Sequence, residues 1–214
     1  ELDPSHFSLY SLIIEPGTQL HYWYQRGMIK KQNQDLEADM YELAMNALAK
    51  HEYEHYEISN WAKSSDKEDY RCRHNLQYWK NRPYFGFGAG AHGYVNNLRT
   101  ENVSTITEYI QRMNKKPNEY LRFPSSSAML SQVEVDLETQ MKDFMMLGLR
   151  LVNEGVSDDR FHEDFGLSMR DIFREEINTL VNSCLIEWVD TEQSILRLSK
   201  RGILLGNQVF MEFV

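Results

Sequence analysis

The pattern of apolar and polar residues in the first sixty positions predicts a strand, a helix and a second strand. Residues 7–14 form a short, bulky, mostly apolar run, which is typical of a strand buried on both faces of a parallel sheet. Residues 35–50 place apolar side chains on one helical stripe, and either Asn33 or Asp35 can cap this helix. Residues 53–60 return to a strand-like composition. This order predicts a βαβ unit and therefore α/β structure.

The pattern changes in the middle of the chain. A helix is predicted over residues 104–114, and residues 115–127 read as a loop because they contain two prolines and three consecutive serines. We therefore expect a domain boundary in this loop, which gives one domain over residues 1–127 and a second over residues 128–214.

The second domain is predicted to be mainly α-helical. Its predicted elements are a helix along residues 137–152, a helix from Ser157 to Gly166, a helix capped by Ser168 that runs over 169–185, a hairpin of 186–189 and 194–198 around the polar turn 190–193, and a last helix that begins near Ser199. Helices, a hairpin and a closing helix follow one another in this way in a winged-helix domain. The predicted fold class is thus α/β followed by mainly α structure.

Composition narrows the classes of partner and compartment. The 214 residues have a formal net charge of −9, and residues 137–214 carry eight Lys and Arg against fourteen Asp and Glu. A negative field repels phosphate backbones, so we expect no nucleic-acid partner, and a winged-helix regulator is disfavoured.

No apolar run is long enough for a transmembrane segment. The two cysteines, Cys72 and Cys184, are too few for a secreted disulfide scaffold, which favours a cytoplasmic protein.

One cluster of side chains could bind a metalloporphyrin. His74 and Asn75 are followed by Tyr78 and Trp79, so an imidazole lies close in sequence to two large aromatic rings. Haem iron accepts an axial imidazole, and the porphyrin plane needs wide apolar surfaces. On the residues alone, a histidine near aromatic residues is more often a structural, hydrogen-bonded residue. Cys72 could compete as a thiolate ligand, although a packed or exposed free thiol is the more common role.

A glycine-rich segment follows this cluster. Residues 88–93 fit the G-x-G-x-x-G pattern of dinucleotide-binding loops. That interpretation needs a helix starting in the loop and an acidic residue about 20 positions later. Residues 94–99 do not start a helix, and the region near residue 113 is basic. A Rossmann-type site is therefore not expected. The glycines could allow close approach to a ligand or could form tight turns.

Several blocks of this sequence, in order and spacing, resemble the radical-SAM family of oxygen-independent coproporphyrinogen III oxidase-like proteins. The resemblance covers essentially the whole chain, and several ordered blocks are more specific than one short motif. The blocks are SLYSL at 8–12, EPGT at 15–18, DMY at 39–41, YEISNWA at 56–62, CRHNLQYW at 72–79, GFGAGAHG at 86–93, LGLR at 147–150 and SKRG at 199–202.

This resemblance implies a fold and a function. The fold would be the C-terminal βα units of a partial β/α barrel followed by a winged-helix-like domain. In the family, a histidine in the motif His-Asn-x-x-Tyr-Trp marks the haem chaperone branch and is the proposed haem ligand, which corresponds to His74 here. The resemblance thus implies a chaperone that binds haem and delivers it to a client protein, whereas the alternative is a coproporphyrinogen III oxidase. A structural role for His74, as an N-cap or as support for another ligand, stays open.

The resemblance also implies cofactors that this chain alone does not provide for. Family members bind S-adenosylmethionine and a [4Fe–4S] cluster, and the alignment places Ile13 and His92 against S-adenosylmethionine. The Cys-x-x-x-Cys-x-x-Cys loop that ligates the cluster is absent from these 214 residues. We therefore expect both cofactors in the full-length protein only. The chain reads as the C-terminal part of such a protein, without radical chemistry of its own.

Overall fold

The computed structural model contains three small antiparallel sheets that are surrounded by ten helices within the described part of the chain. Each sheet has three strands. No helix among the described residues is long and apolar enough to cross a bilayer. The described residues are 2–30, 33–64, 68–115, 122–190, 192 and 194–214.

The first sheet is built from the N-terminal segment, with two helices beside it. Its central strand is the last of the three in sequence, so the strand order is β1-β3-β2. The predicted helix over 35–50 is confirmed, and Asn33 caps it through its side-chain oxygen. The elements are β1 (His6–Ser8), α1 (Gln19–Gln25), α2 (Gln34–Lys50), β2 (Tyr53–Glu57) and β3 (Asn60–Lys63).

The strand predicted over residues 7–14 is much shorter than expected. Of this run only Phe7 and Ser8 lie in β1, and the pairing of β1 with β3 ends at Ser8 opposite Asn60, the residue at which β3 begins. Beyond this point Leu12 and Ile13 are exposed, Ile13 by 72%. The prediction of a strand buried on both faces is therefore wrong, because an apolar run does not by itself supply a neighbouring strand.

The single strand predicted over residues 53–60 is a hairpin. The chain turns at Ile58 and Ser59, and β3 returns between β2 and β1, antiparallel to both. Strands β1 and β2 consequently run in the same direction, as a βαβ unit requires, but the inserted β3 separates them. The expectation of a parallel sheet is wrong for these strands. Aromatic and β-forming residues on both sides of a short turn read as one continuous strand in the sequence.

The middle of the chain forms two helices and a second sheet, and the sequence pattern revealed only the second of these helices. This sheet has the order β4-β5-β6. Asn96 and Asn97 connect β4 to β5, and both have positive φ angles of 52° and 59°, which is the conformation of a two-residue type I′ turn. The helix predicted over 104–114 is confirmed as α4. The elements are α3 (Arg73–Trp79), β4 (His92–Val95), β5 (Leu98–Asn102), α4 (Ile106–Met113) and β6 (Met129–Glu134).

The C-terminal segment forms the main hydrophobic core around a third sheet with the order β7-β9-β8. The core includes Met145, Phe161 and Leu196, none of which is accessible to solvent. The elements are α5 (Leu137–Gly148), β7 (Val156–Ser157), α6 (Asp158–Phe165), α7 (Met169–Ile172), α8 (Arg174–Asn182), β8 (Ile186–Trp188), β9 (Ile195–Leu198), α9 (Lys200–Leu204) and α10 (Gly206–Met211).

Most helix ends in this segment lie where the sequence placed them. Ser157 and Ser168 cap α6 and α7 through their side chains, and Gly166 ends α6 with a left-handed conformation. The helix predicted over 169–185 is instead two helices, because Phe173 leaves helical geometry and buries its ring in the core. The predicted hairpin is present as β8 and β9. Parts of its turn and of the predicted loop 115–127 lie outside the described residues.

Candidate functional site

A large cavity lies where the first sheet, α3, the end of α5 and the last two helices meet. Its volume is about 1500 Å³, which exceeds the roughly 300–1,000 Å³ of ordinary small-molecule pockets. Apolar side chains such as Ile58, Met146 and Phe210 line it together with a few charged groups. A cavity of this size and mixed lining suits a large, flat, mostly apolar ligand that carries a few polar groups.

Helix α3 forms one wall of the cavity and begins at a fixed point. Cys72 is its N-cap residue, although the thiol caps no backbone amide. The Cys72 backbone N–H donates to the Tyr56 hydroxyl at 3.1 Å, and this hydroxyl lies 2.9 Å from His6 Nε2. Burial raises the pKa of Tyr56 to about 12, so the anchoring hydroxyl stays protonated at neutral pH. His74 is the second residue of the helix, and its interpretation as an N-cap is therefore wrong.

His74 begins a series of aromatic rings along the cavity wall. The Tyr78 ring meets the His74 ring edge to face, with the centroids 4.9 Å apart and the planes at 89°. These residues are four positions apart, so they share one face of the helix. Tyr84 continues the series, with its ring centroid 4.5 Å from that of Tyr78. His74 is exposed, and no described residue forms a hydrogen bond with its ring.

At another part of the cavity lining, the guanidinium of Arg150 lies between two aromatic rings. The Arg150 guanidinium carbon lies 5.0 Å from the centroid of the Trp79 ring and 4.3 Å from that of the Phe210 ring. Both distances are within the range of cation–π attraction. Gly206 allows Phe210 to lie so close to the chain, because a Cβ atom at this glycine would come within 3.1 Å of the ring and 3.7 Å of Ile58.

A buried carboxyl group lies on the floor of the same cavity. Glu57 is 1% exposed, and burial raises its pKa. The side-chain amide of Asn60, the Ser59 backbone N–H and the positive charge of Arg150 oppose this rise. Asn60 donates to the Glu57 carboxylate and accepts from the Ser8 hydroxyl. The hairpin turn and β1 therefore fix the carboxyl group in place.

A second buried acid on the cavity wall has a partner of its own. Arg99 on β5 forms an ion pair with Asp143 on α5. Burial raises the pKa of Asp143, and the charge of Arg99 opposes the rise. Since Arg99 is about half exposed and Asp143 is buried, the pair connects the second sheet to α5 at the edge of the cavity.

The cavity brings together most of the residues that the sequence singled out. Ile13, His74, Asn75, Tyr78 and Trp79 all line it. In contrast, His92 lies on β4 with an exposed side chain and is not among the lining residues. Cys72 is also not among the residues that line the cavity, so its thiol is poorly placed to replace the imidazole of His74.

The glycine-rich segment serves the packing of its own loop. A Cβ atom at Gly86 would lie 2.3 Å from the His92 carbonyl oxygen, and Gly88 and Gly90 have positive φ angles. The Asn102 side-chain amide donates to the carbonyls of Gly86 at 3.1 Å and Gly88 at 3.0 Å. Of the two interpretations of these glycines, tight turns are the one that these contacts support.

Three residues of the cavity were not singled out by the sequence analysis. Arg150 lies in the block LGLR and Glu57 in the block YEISNWA. The resemblance to the family therefore included both residues but gave neither of them a chemical role. Phe210 lies in the last helix and looks like an ordinary core residue. Only the folded structure shows that the three come together.

The chain was compared with protein families and with curated proteins. Residues 135–205 match the model of the HemN C-terminal domain. The chain is 40% identical over 213 residues to "Heme chaperone HemW" of Bacillus subtilis, and 32% identical over 214 residues to the protein of the same name in Lactococcus lactis. The resemblance to the C-terminal part of the coproporphyrinogen III oxidase-like radical-SAM family is confirmed. Each alignment covers 100% of this chain and 52% of the relative, so the chain spans about half the length of these proteins.

A solved structure has the same fold. It is the coproporphyrinogen III oxidase HemN from Escherichia coli, described as a radical SAM enzyme, and the TM-score is 0.68. The match covers 99% of this chain and 48% of that chain at 14% sequence identity. At this identity the likeness shows the fold alone. The predicted relation to the C-terminal part of the radical-SAM fold is confirmed at this level.

The residues present do not fit an iron–sulfur cluster. Cys72 and Cys184 are both free, and two thiols are too few for a [4Fe–4S] cluster, which is typically held by four cysteine thiolates. Among the described residues, no three His, Cys, Asp or Glu side chains are grouped so that they could hold a metal ion. A cluster site therefore cannot be built from the cysteines of this chain.

Proposed function

We propose that this chain is the haem-binding part of a haem chaperone, in which His74 ligates the haem iron. Tyr78 and Trp79 would lie against the porphyrin, and Asn75 belongs to the same motif. The observation that carries the proposal is the position of His74. Its ring is exposed on the wall of a cavity of about 1500 Å³, without a hydrogen-bonding partner among the described residues.

The imidazole of His74 is suited to this role. A neutral imidazole is a common axial ligand of haem iron. The edge-to-face contact with Tyr78 restricts the orientation of the ring, and neither ring nitrogen is occupied by a described residue. The second nitrogen of a metal-bound imidazole usually donates to an acceptor. We expect Asn75 or a backbone carbonyl to accept this bond when haem is present.

A chaperone is the better-supported of the two functions that the resemblance implies. The relatives from Bacillus subtilis and Lactococcus lactis, which align with the whole of this chain, are named heme chaperones. The alternative is a coproporphyrinogen III oxidase, and it rests on a structural neighbour of 14% identity, which supports only a common fold. We therefore favour transfer of haem to a client protein over oxidative decarboxylation of a porphyrin precursor.

Other features of the protein follow from the same proposal. We place S-adenosylmethionine and the [4Fe–4S] cluster in the full-length protein only, with Ile13 and His92 of this chain as contacts of S-adenosylmethionine. Ile13 lines the cavity, whereas His92 does not. We also propose a cytoplasmic location, since the chain has only two cysteines. We propose no nucleic-acid partner, since its net charge is −9.

We propose a division into domains at residues 127 and 128, with a winged-helix-like second domain. Support comes from the order of α6, α7, α8, β8, β9 and α9, in which the hairpin β8–β9 follows the helices and joins β7 in one sheet. One element crosses the division, because β6 pairs with β5. Residues 129–134 would therefore connect the second domain to the sheet of the first.

The test of haem ligation is a titration of the chain with haem, followed by optical absorption and resonance Raman spectroscopy. We compare the parent chain with His74→Ala, Cys72→Ala and His92→Ala, of which His92→Ala removes an exposed histidine outside the cavity. We expect an imidazole-type spectrum in the parent and in the last two variants, and its loss in His74→Ala alone. Thermal unfolding should show that His74→Ala folds as the parent does, because the ring is exposed.

Two results would count against the proposal. Equal spectra in the parent and in His74→Ala would refute the assignment of the ligand. A loss confined to Cys72→Ala would transfer ligation to the thiolate.

A further inference from the structure

Arg150 differs from the other cationic side chains that line the cavity. Arg99 is paired with Asp143, and Arg201 donates to the Ser183 carbonyl at 3.2 Å. The Arg150 side chain, in contrast, has no hydrogen-bonding acceptor among the described residues, and its Nε atom is buried in that state. A buried guanidinium N–H without an acceptor costs free energy comparable to a lost hydrogen bond, so this arrangement needs an explanation.

The nearest acid does not supply the missing partner. Glu57 lowers the free energy of the charged Arg150, but burial lowers the pKa of Arg150 more strongly. The Glu57 carboxylate already accepts a hydrogen bond from the side-chain amide of Asn60. No ion pair within 4.0 Å joins Glu57 to Arg150 in the described part of the chain. The carboxyl group is therefore engaged by the hairpin turn and leaves the guanidinium available to a ligand.

The surroundings hold the Arg150 guanidinium in one position. Trp79 and Phe210 contact it with their rings, at 5.0 Å and 4.3 Å from the guanidinium carbon. The Arg150 carbonyl accepts from the Ile58 backbone N–H at 3.2 Å, which fixes the main chain as well. A guanidinium that is fixed in advance loses little conformational entropy when it binds a planar anion, and carboxylates match its fork of donors.

We propose that Arg150 binds a propionate carboxylate of the porphyrin, an inference that rests on the proposed haem site. Trp79 links the two ends of this site, since it touches Arg150 and lies five residues after His74 on α3. His74, Trp79 and Arg150 all line the same cavity, so an imidazole and a guanidinium both border the space that a porphyrin would occupy. An imidazole at one point and a fixed guanidinium at the other would set the direction in which haem enters.

The test separates recognition of the carboxylate from ligation of iron. Metal-free protoporphyrin IX and its dimethyl ester differ only in the two carboxylates, and neither has iron for His74 to bind. Their dissociation constants for the chain are measured by quenching of tryptophan fluorescence. We expect the parent to bind the diacid roughly tenfold more tightly than the diester, a difference of ~1.4 kcal/mol.

Three variants identify the residue responsible. In Arg150→Gln the dissociation constant of the diester divided by that of the diacid should fall close to one. In Arg150→Lys this ratio should lie between that of Arg150→Gln and that of the parent, because the charge remains without the fork of donors. Arg201→Gln is the matched control, since it also lines the cavity but has a carbonyl partner, and it should keep the parent ratio. If Arg150→Gln does not fold, the comparison of Arg150→Lys with Arg201→Gln still decides, since only the first should lower the ratio.

The possible results distinguish this inference from the proposed function. An unchanged ratio in the Arg150 variants, or a parent that does not prefer the diacid, would overturn the role of Arg150 while the His74 spectra could still support haem ligation. Conversely, a ratio that depends on Arg150 would stand even if His74→Ala keeps the imidazole-type spectrum. Failure of the parent to bind either metal-free porphyrin would overturn the role of Arg150, while the haem titration of the His74 variant would still decide the ligation of iron.

Discussion

The His55 ring is stacked on the Trp61 indole, with the two centroids 4.2 Å apart and the planes only 7° from parallel. His55 Nε2 also lies 3.2 Å from the Ile58 carbonyl oxygen and 3.3 Å from the Tyr41 hydroxyl. This pair connects β2, which ends at Glu57, to the central strand β3 of the first sheet. Burial lowers the pKa of His55 below its usual value of 6.5, although two backbone hydrogen bonds oppose this.

The first prediction concerns the effect of pH on stability through His55. Below pH 6.5 the unfolded chain binds a proton at this histidine, whereas the folded chain does so only at lower pH. The unfolded state then binds more protons, so stability is fully present above pH 6.5 and falls as the pH decreases below it. His55→Gln should reduce the loss of unfolding free energy between pH 7.5 and pH 5.5, as measured by urea denaturation.

The control for this prediction is His51→Gln, which changes an exposed histidine at the end of α2. Two neighbours of His55 also titrate. Burial raises the pKa of both Tyr41 and Glu57. A group whose pKa is raised in the folded state contributes stability that is lost as the pH rises, so Glu57 acts in the opposite direction to His55. An identical pH dependence in His55→Gln and the parent would contradict the prediction.

The second prediction concerns the ion pair between Arg99 and Asp143. Arg99→Met leaves the Asp143 carboxylate buried without a partner, which typically costs about 1–3 kcal/mol. Solvent screening of the half-exposed Arg99 should keep the loss in the lower part of this range. The exposed pair of Arg174 and Asp171 is the control, and Arg174→Met should cost less than about 0.5 kcal/mol. Equal losses in the two variants, measured by urea denaturation, would show that Asp143 has another source of stabilisation.

The third prediction concerns Gly202 in α9. A Cβ atom at this position would lie 1.8 Å from the Leu185 carbonyl oxygen and 2.8 Å from its carbonyl carbon. Both atoms belong to the main chain, so a side-chain movement cannot relieve the overlap. We expect Gly202→Ala to lower the unfolding free energy by about 3 kcal/mol. Lys200→Ala, on the exposed side of the same helix, should stay within about 0.5 kcal/mol of the parent.

Much of the C-terminal half could be predicted from the sequence because local signals fix it. Ser157 and Gly166 mark the two ends of one helix, and helix caps depend on neighbouring residues only. The first sheet was harder to predict, since its strand order depends on contacts between residues more than fifty positions apart. The pairing of Ser8 with Asn60 is such a contact, and the spacing of apolar residues carries no information about it.

Some residues of the candidate site could be predicted from the sequence and others could not. His74, Asn75, Tyr78 and Trp79 could be singled out because they form one short motif on one helix. Arg150 and Phe210 come from α5's end and α10, and their meeting around Trp79 follows from the packing of the last helices against α5. The position of His92 outside the cavity could not be predicted either, because it depends on the antiparallel pairing of β4 with β5.

The fourth prediction is that the C-terminal domain has no useful affinity for DNA. Residues 137–214 carry eight basic and fourteen acidic residues. In α8, the helix that would enter the major groove, Arg174 is followed by Glu175 and Glu176 in the first turn. Phosphate contacts provide most of the affinity of non-specific binding. A fluorescence-anisotropy titration with duplex DNA at physiological salt should show no sub-micromolar binding, and a sub-micromolar dissociation constant would contradict the prediction.

The fifth prediction is that the chain alone neither assembles a stable [4Fe–4S] cluster nor cleaves S-adenosylmethionine. Cys72 is the N-cap of α3, whereas Cys184 is exposed in the turn between α8 and β8. A [4Fe–4S] cluster is typically held by four cysteine thiolates, and two isolated thiols can at most bind iron weakly. After anaerobic reconstitution with iron and sulfide, gel filtration should leave no stoichiometric iron on the parent chain, and the variant Cys72→Ala with Cys184→Ala should give the same result. The prediction would be contradicted by cluster-like absorption with matching amounts of iron and sulfide in the parent but not in the double variant. That result would mean that these two cysteines recruit a cluster, and radical chemistry by this chain would have to be reconsidered.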